Sequence, residues 1–289
     1  MDQFAGSIDA MTVAIVLSLA AALTYGICDV GGGFTSRTVS PWAITVTGQL
    51  GGGLAMLAAA AGTSGTVTAG HLGLAGLAGA GSAAGTVYLY RGLASGRSTL
   101  VAPLSAVGAA AVPVFAGVTA GERPPLIVWA GILVALPGIW LVATSGGGPR
   151  AGTDLAAIRD GALSGLGFGV LFTAVGQIPA SAGLLPLAIQ NAAAGLVTVA
   201  AALALRQSWL PSTRRAWFGL PIGVLGAGGT ALFLTATHAG SLTITGVVVS
   251  LYPVFTIALS VLLLGERVGR WQGLGVLLCG VSIAFIAAG

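Results

Sequence analysis

Of 289 residues, 56% are apolar and only 6% are charged, with a mean hydropathy of +1.00. Soluble domains carry roughly 25% charged residues, so a soluble enzyme is excluded, and the net charge of +4 is no sign of a nucleic-acid partner. The chain is that of a multi-span, all-α membrane protein.

Apolar stretches long enough for a bilayer span, about 20 residues, occur at 11–30, 40–61, 72–91, 98–119 and 125–144, then at 161–178, 183–205, 216–238, 242–264 and 270–288. Asp2 and Asp9 precede the first, with no basic leader or cleavage site, so the N-terminus is expected to be retained. The first span carries Tyr25, Cys28 and Asp29, the second Gln49, and the third Tyr88 and Tyr90. Pro113 is expected to interrupt the fourth, which ends at the corner Gly121-Glu122-Arg123. A polar stretch over 146–160 reads as a linker between a first half, 1–145, and a second, 161–289.

Beyond the linker, the sixth span carries Phe168, Phe172 and Gln177, and the seventh Gln190-Asn191. His238 closes the eighth. Tyr252 and Pro253 lie in the ninth, before a second corner, Gly265-Glu266-Arg267. The two corners lie half a chain apart, and at the same offset Gly96 matches Gly240 and Thr99 matches Thr243. One unit is written twice.

All the basic residues are Arg. Arg37, Arg91, Arg97, Arg150, Arg159, Arg206, Arg214, Arg215, Arg267 and Arg270 fall in odd-numbered loops, and Arg123 alone in an even one. Positive charge marks the cytoplasmic side, so both termini are expected outside. An odd number of spans per half places the repeats upside down relative to each other. Inverted repeats around a midplane site are the architecture of secondary transporters.

Tyr25-Gly26, Phe168-Gly169, Pro41, the run Tyr90-Arg91-Gly92-Leu93-Ala94 and the two Gly-Glu-Arg corners together carry a resemblance. Each half resembles an EamA domain of the drug/metabolite transporter superfamily. The resemblance implies ten helices in a basket, two inverted five-helix repeats around a central cavity, and the movement of small metabolites. It also implies a bacterial cytoplasmic membrane. A basic residue common in the second span of that family is replaced by Gln49, with Gln190-Asn191 in the analogous part of the seventh, which points to neutral or cationic substrates.

The expected function is a secondary transporter, most simply an exporter of a small metabolite, amino-acid-like or drug-like compound, with Asp29 and His238 as candidates for carrying a coupled proton. A lipid or lipid-linked-precursor flippase is the alternative. Cavity candidates are Tyr25, Asp29, Gln49, Tyr88, Phe168, Phe172, Gln190, Asn191 and Tyr252, a few oriented polar groups among aromatic walls. Interhelical hydrogen bonding or interfacial anchoring is the plainer role for each. Asp29 reads as the only acid within or beside a span, with pairing to Arg37 or Arg91 as its plainer fate. Pro113 and Pro253 are hinge candidates, and Glu122 and Glu266 are expected to cap the following helix or pair with the adjacent Arg. Gly48/Gly52, Gly161/Gly165/Gly169 and Gly219/Gly223 are expected to serve helix packing. No motif for a catalytic site, metal, cofactor or nucleotide is present. The partners expected are a small-molecule substrate and the bilayer, with no nucleic acid, the protein being a monomer or homodimer.

Overall fold

The computed structural model describes residues 2–95, 98–143, 155–264 and 269–288, and every regular element among them is helical. The helices are α1 Asp2–Ser36, α2 Pro41–Ala61, α3 Ala69–Ala94, α4 Ser98–Thr119, α5 Leu126–Ala143, α6 Leu155–Gly176, α7 Leu185–Ala204, α8 Gly219–Ala239, α9 Leu242–Val249, α10 Tyr252–Leu264 and α11 Arg270–Ala287. With no water in the hydrocarbon layer, each span must satisfy its backbone internally, which is why helices alone suffice. Among the described residues eight stretches are long and apolar enough to cross a membrane, and the apolar parts of α4 and α5 are shorter.

The ninth expected span is broken in two. Pro253 lacks an N–H and its ring crowds the carbonyl of the residue four before it, so α9 ends at Val249 and α10 starts at Tyr252. The expectation for Pro113 is corrected: α4 runs through it without a break, and Pro113 instead packs against Gly246 of α9. The linker expected over 146–160 is also shortened. Residues 155–160 form the first turns of α6, and 146–154 lie outside the described residues, as do Gly96, Glu266 and Arg267.

The two halves are interleaved. α3 packs on α6 and α7 of the other half, and α8 packs in the same way on α1 and α2. α4 lies against α6, and α9 and α10 lie against α1. The pairs α2–α7, α4–α9 and α5–α11 bring equivalent helices together. Exchanging the halves therefore maps each main packing pair onto another or onto itself.

Lipid tails are as apolar as leucine, so close backbone approach has to supply the packing. The small-residue faces do this in pairs. At the α2–α8 crossing a Cβ on Gly52 would lie 2.8 Å from the Gly223 carbonyl oxygen, and one on Gly51 2.8 Å from the Leu220 Cα. At the α4–α6 crossing a Cβ on Gly165 would lie 3.0 Å from the Gly108 Cα. Aligned on the corners, Gly223 of the α2–α8 crossing corresponds to Gly79 of the α3–α7 crossing, where a Cβ would lie 2.7 Å from the Gln190 carbonyl oxygen.

Candidate functional site

Where α1, α2, α3, α6, α7 and α8 meet, they leave a cavity with a volume of about 90 Å³. One water needs ~10–15 Å³ on this measure, so the space suits a compact solute. Tyr25, Asp29, Gln49, Phe168, Gln190 and Asn191 all line it.

The polar wall is cross-linked to itself. Thr230 donates its hydroxyl to the Gly226 carbonyl at 3.0 Å, so at the 2.9 Å contact with Tyr25 it is Tyr25 that donates. Gln49 donates Nε2 to Ser82 at 3.1 Å, and Asn191 donates Nδ2 to the Leu187 carbonyl at 2.8 Å. Tyr90 donates to the Cys28 carbonyl at 3.3 Å. Across the cavity edge Thr256 of α10 donates to the Asp29 carboxylate at 3.3 Å. Gly26 permits this approach, because a Cβ there would lie 2.9 Å from the Thr256 nitrogen.

The other candidates lie elsewhere. Phe172 is buried behind the wall, its ring centroid 5.7 Å from that of Tyr25 and 4.9 Å from that of Phe233. It buttresses the cavity without lining it. Tyr88 sits beneath the Arg91 guanidinium, 5.1 Å from ring centroid to carbon. Tyr252 is buried in the apolar cluster formed with α4, α5, α9 and α11. His238 is tied by Nε2 to the Ile178 carbonyl at 2.8 Å, outside the cavity lining. Ser82, Thr86, Tyr90 and Thr230 complete the polar wall. Single hydroxyls on small-residue faces carried no signal of this in the sequence.

One end of the bundle is fastened by an ion pair. Arg91 grips Asp160 with both prongs, Nη2–Oδ1 at 2.8 Å and Nε–Oδ2 at 3.1 Å, and Arg159 adds a contact at 3.1 Å. The Asp160 side chain is 1% exposed. This corrects the reading of Asp29 as the only acid within or beside a span, and it removes Arg91 as a partner for Asp29. Arg37 is exposed, and among the described residues no ion pair reaches Asp29.

The opposite end, α4 being ~33 Å long, is fastened by Glu122. The expectation that Glu122 caps the following helix is corrected: its carboxylate accepts the backbone N–H groups of Leu242 at 2.8 Å and Thr243 at 2.9 Å. It thus caps α9, in the other half, where an anion meets the positive end of the helix dipole. Arg123 turns back onto the Val118 and Glu122 carbonyls. Glu122→Ala is expected to lower stability by about 1–2 kcal/mol, checked by thermal unfolding in detergent, with Glu122→Gln retaining part of the cap.

The model of the EamA-like transporter family matches residues 12–144 and, a second time, 156–288. No curated protein matches the chain in sequence. A solved crystal structure, 16% identical, superposes with a TM-score of 0.69 over 96% of this chain and 97% of its own, a likeness of fold.

Proposed function

Since the chain belongs to the EamA-like transporter family, we propose that this multi-pass membrane transporter of the drug/metabolite type is a secondary carrier working by alternating access. Its cargo is a small metabolite, amino-acid-like or drug-like compound, held in the cavity between the halves. The observation that carries this reading is that cavity: compact, mostly apolar with a few polar groups, and walled by helices of both repeats. Two inverted five-helix repeats forming a basket would give inward- and outward-facing states of similar energy. The clasps fit such a cycle, since Arg91–Asp160 and Glu122–α9 tie the two halves together at opposite ends. Opening either end would require releasing one of them, while the break between α9 and α10 lets half a span move.

The arginine distribution supports a cytoplasmic Arg91 end with both termini outside, and a bacterial cytoplasmic membrane is the location this reading assigns. Export is the direction this reading assigns, with Asp29 as the proton-coupling group.

The test is counterflow in proteoliposomes. Saturable exchange of a water-soluble compound across the membrane is the expected result. Movement of labelled lipid or lipid-linked sugar alone would replace the carrier with a flippase. For the coupling, Asp29→Asn is expected to abolish uptake driven by a pH gradient while the protein still folds. Full activity in that variant would end the assignment of Asp29.

A further inference from the structure

Among the described residues Asp29 is the one charged group lining the cavity, and no arginine or histidine lines it. Among the described residues its side-chain partner is a neutral hydroxyl, that of Thr256, which is also 3.2 Å from the Tyr252 carbonyl and so divides one proton between two acceptors. A carboxylate on a membrane span is expensive without a counter-charge. The described residues supply none here, whereas they supply two guanidinium groups to Asp160.

The hydrogen-bonding balance of the wall points the same way. Gln49 commits one amide N–H to Ser82, Asn191 commits its amino group to the Leu187 carbonyl and to Gln190 Oε1, and the Tyr25 and Tyr90 hydroxyls are spent on Thr230 and Cys28. Among the described residues no hydrogen bond reaches the carbonyl oxygens of Gln49 and Asn191, which are left to a donor. The remaining donors, such as Thr86 and the Gln190 amide, are neutral. Tyr25 and Phe168 bring aromatic faces to the same space, and such faces attract a cation. An anionic ligand would meet Asp29 without any compensating charge.

We propose that the cavity binds a compact organic monocation, its ammonium or amidinium group on Asp29 and on the amide oxygens of Gln49 and Asn191. This deepens the carrier reading and rests on it only in taking the cavity as the cargo site. The cavity of about 90 Å³ limits the cargo to roughly six to nine non-hydrogen atoms, given ~10–15 Å³ for each water-sized group.

The test is equilibrium binding to the purified, detergent-solubilised protein, using probes matched in length and differing in head group: butylamine, 1-butanol and butyrate, with ethanolamine, choline and guanidinium as further cations. At least one cation is expected to bind about ten- to a hundredfold more tightly than its neutral counterpart, the range of a charged hydrogen bond, and butyrate is expected not to bind. Asp29→Asn should erase that preference and Asp29→Glu should keep it. Neutral or anionic probes binding as tightly as the amines would overturn the proposal, as would the absence of binding by every cation. If Asp29→Asn does not fold, the ranking of probes on the unaltered protein decides by itself. Cation binding without counterflow would sink the carrier reading and leave the ligand class standing.

Discussion

Gly223→Leu is expected to leave almost no folded protein. At the α2–α8 crossing the backbones are in contact, and a Cβ on Gly223 would lie 2.6 Å from the Gly48 Cα and closer still to its carbonyl. The obstacle is backbone, which cannot step aside as a flexible side-chain end can. Inserting methylenes into packed interiors costs about 1–3 kcal/mol when side chains can yield, and here the helices themselves must separate. Their separation would unseat Gln49 and Thr230 from the cavity wall as well. Size-exclusion of the detergent-solubilised protein should show loss of the monodisperse peak, and Gly223→Ala should already lower the melting temperature. Gly228, five residues on, has open space at its Cβ position. Gly228→Ala is expected to be neutral or to stabilise by up to about 1 kcal/mol, through helix propensity alone. Equal losses at 223 and 228 would show that the close crossing does not exist.

Arg91→Met is expected to destabilise the protein by about 2–3 kcal/mol, somewhat below the 3–5 kcal/mol typical of breaking a buried pair by removing one partner. The reduction has two causes. Arg91 is 33% exposed along its side chain, so part of its field is already screened, and Arg159 stays beside the stranded carboxylate. Arg159→Met should cost under about 1 kcal/mol, because that side chain is 56% exposed. Asp160→Asn combined with Arg91→Met should recover much of the loss, since no charge is then left buried. Thermal unfolding of the four proteins is the measurement, and a double variant no better than Arg91→Met would refute the pairing. Because the clasp joins the halves at one end, the same variants are expected to bias which end of the cavity opens, readable from thiol labelling of Cys28 in the cavity wall.

Much of the fold was legible in the chain. Apolar runs bounded by polar or glycine-rich stretches marked the helices, because a bilayer leaves the backbone no partner but itself, and eight stretches among the described residues are long and apolar enough to span. The repeated Gly-Glu-Arg corner and the matched Gly and Thr positions revealed two copies of one unit, and the family match in two segments agrees. The glycine faces were read as packing surfaces, and they pack against each other. Pro253 marked a real break for a local steric reason that needs no tertiary context. Pro113, with the same chemistry, did not.

What only the tertiary structure decided is who meets whom. Glu122 looked like a local cap, yet the N–H donors it accepts from lie 120 and 121 residues away at the start of α9. Asp160 read as linker and became the most buried acid among the described residues, held by an arginine 69 positions earlier. Tyr90 lines the cavity while Tyr88, two residues before it, supports Arg91. Phe168 lines it while Phe172, one turn further on the same face, stands behind. In a soluble protein, alternation of polar and apolar residues would separate such neighbours, because one face of each helix meets water. Here the face toward lipid and the face toward other helices are both apolar, so periodicity carries little contrast, and only the packing of the two interleaved halves assigns each side chain its surroundings.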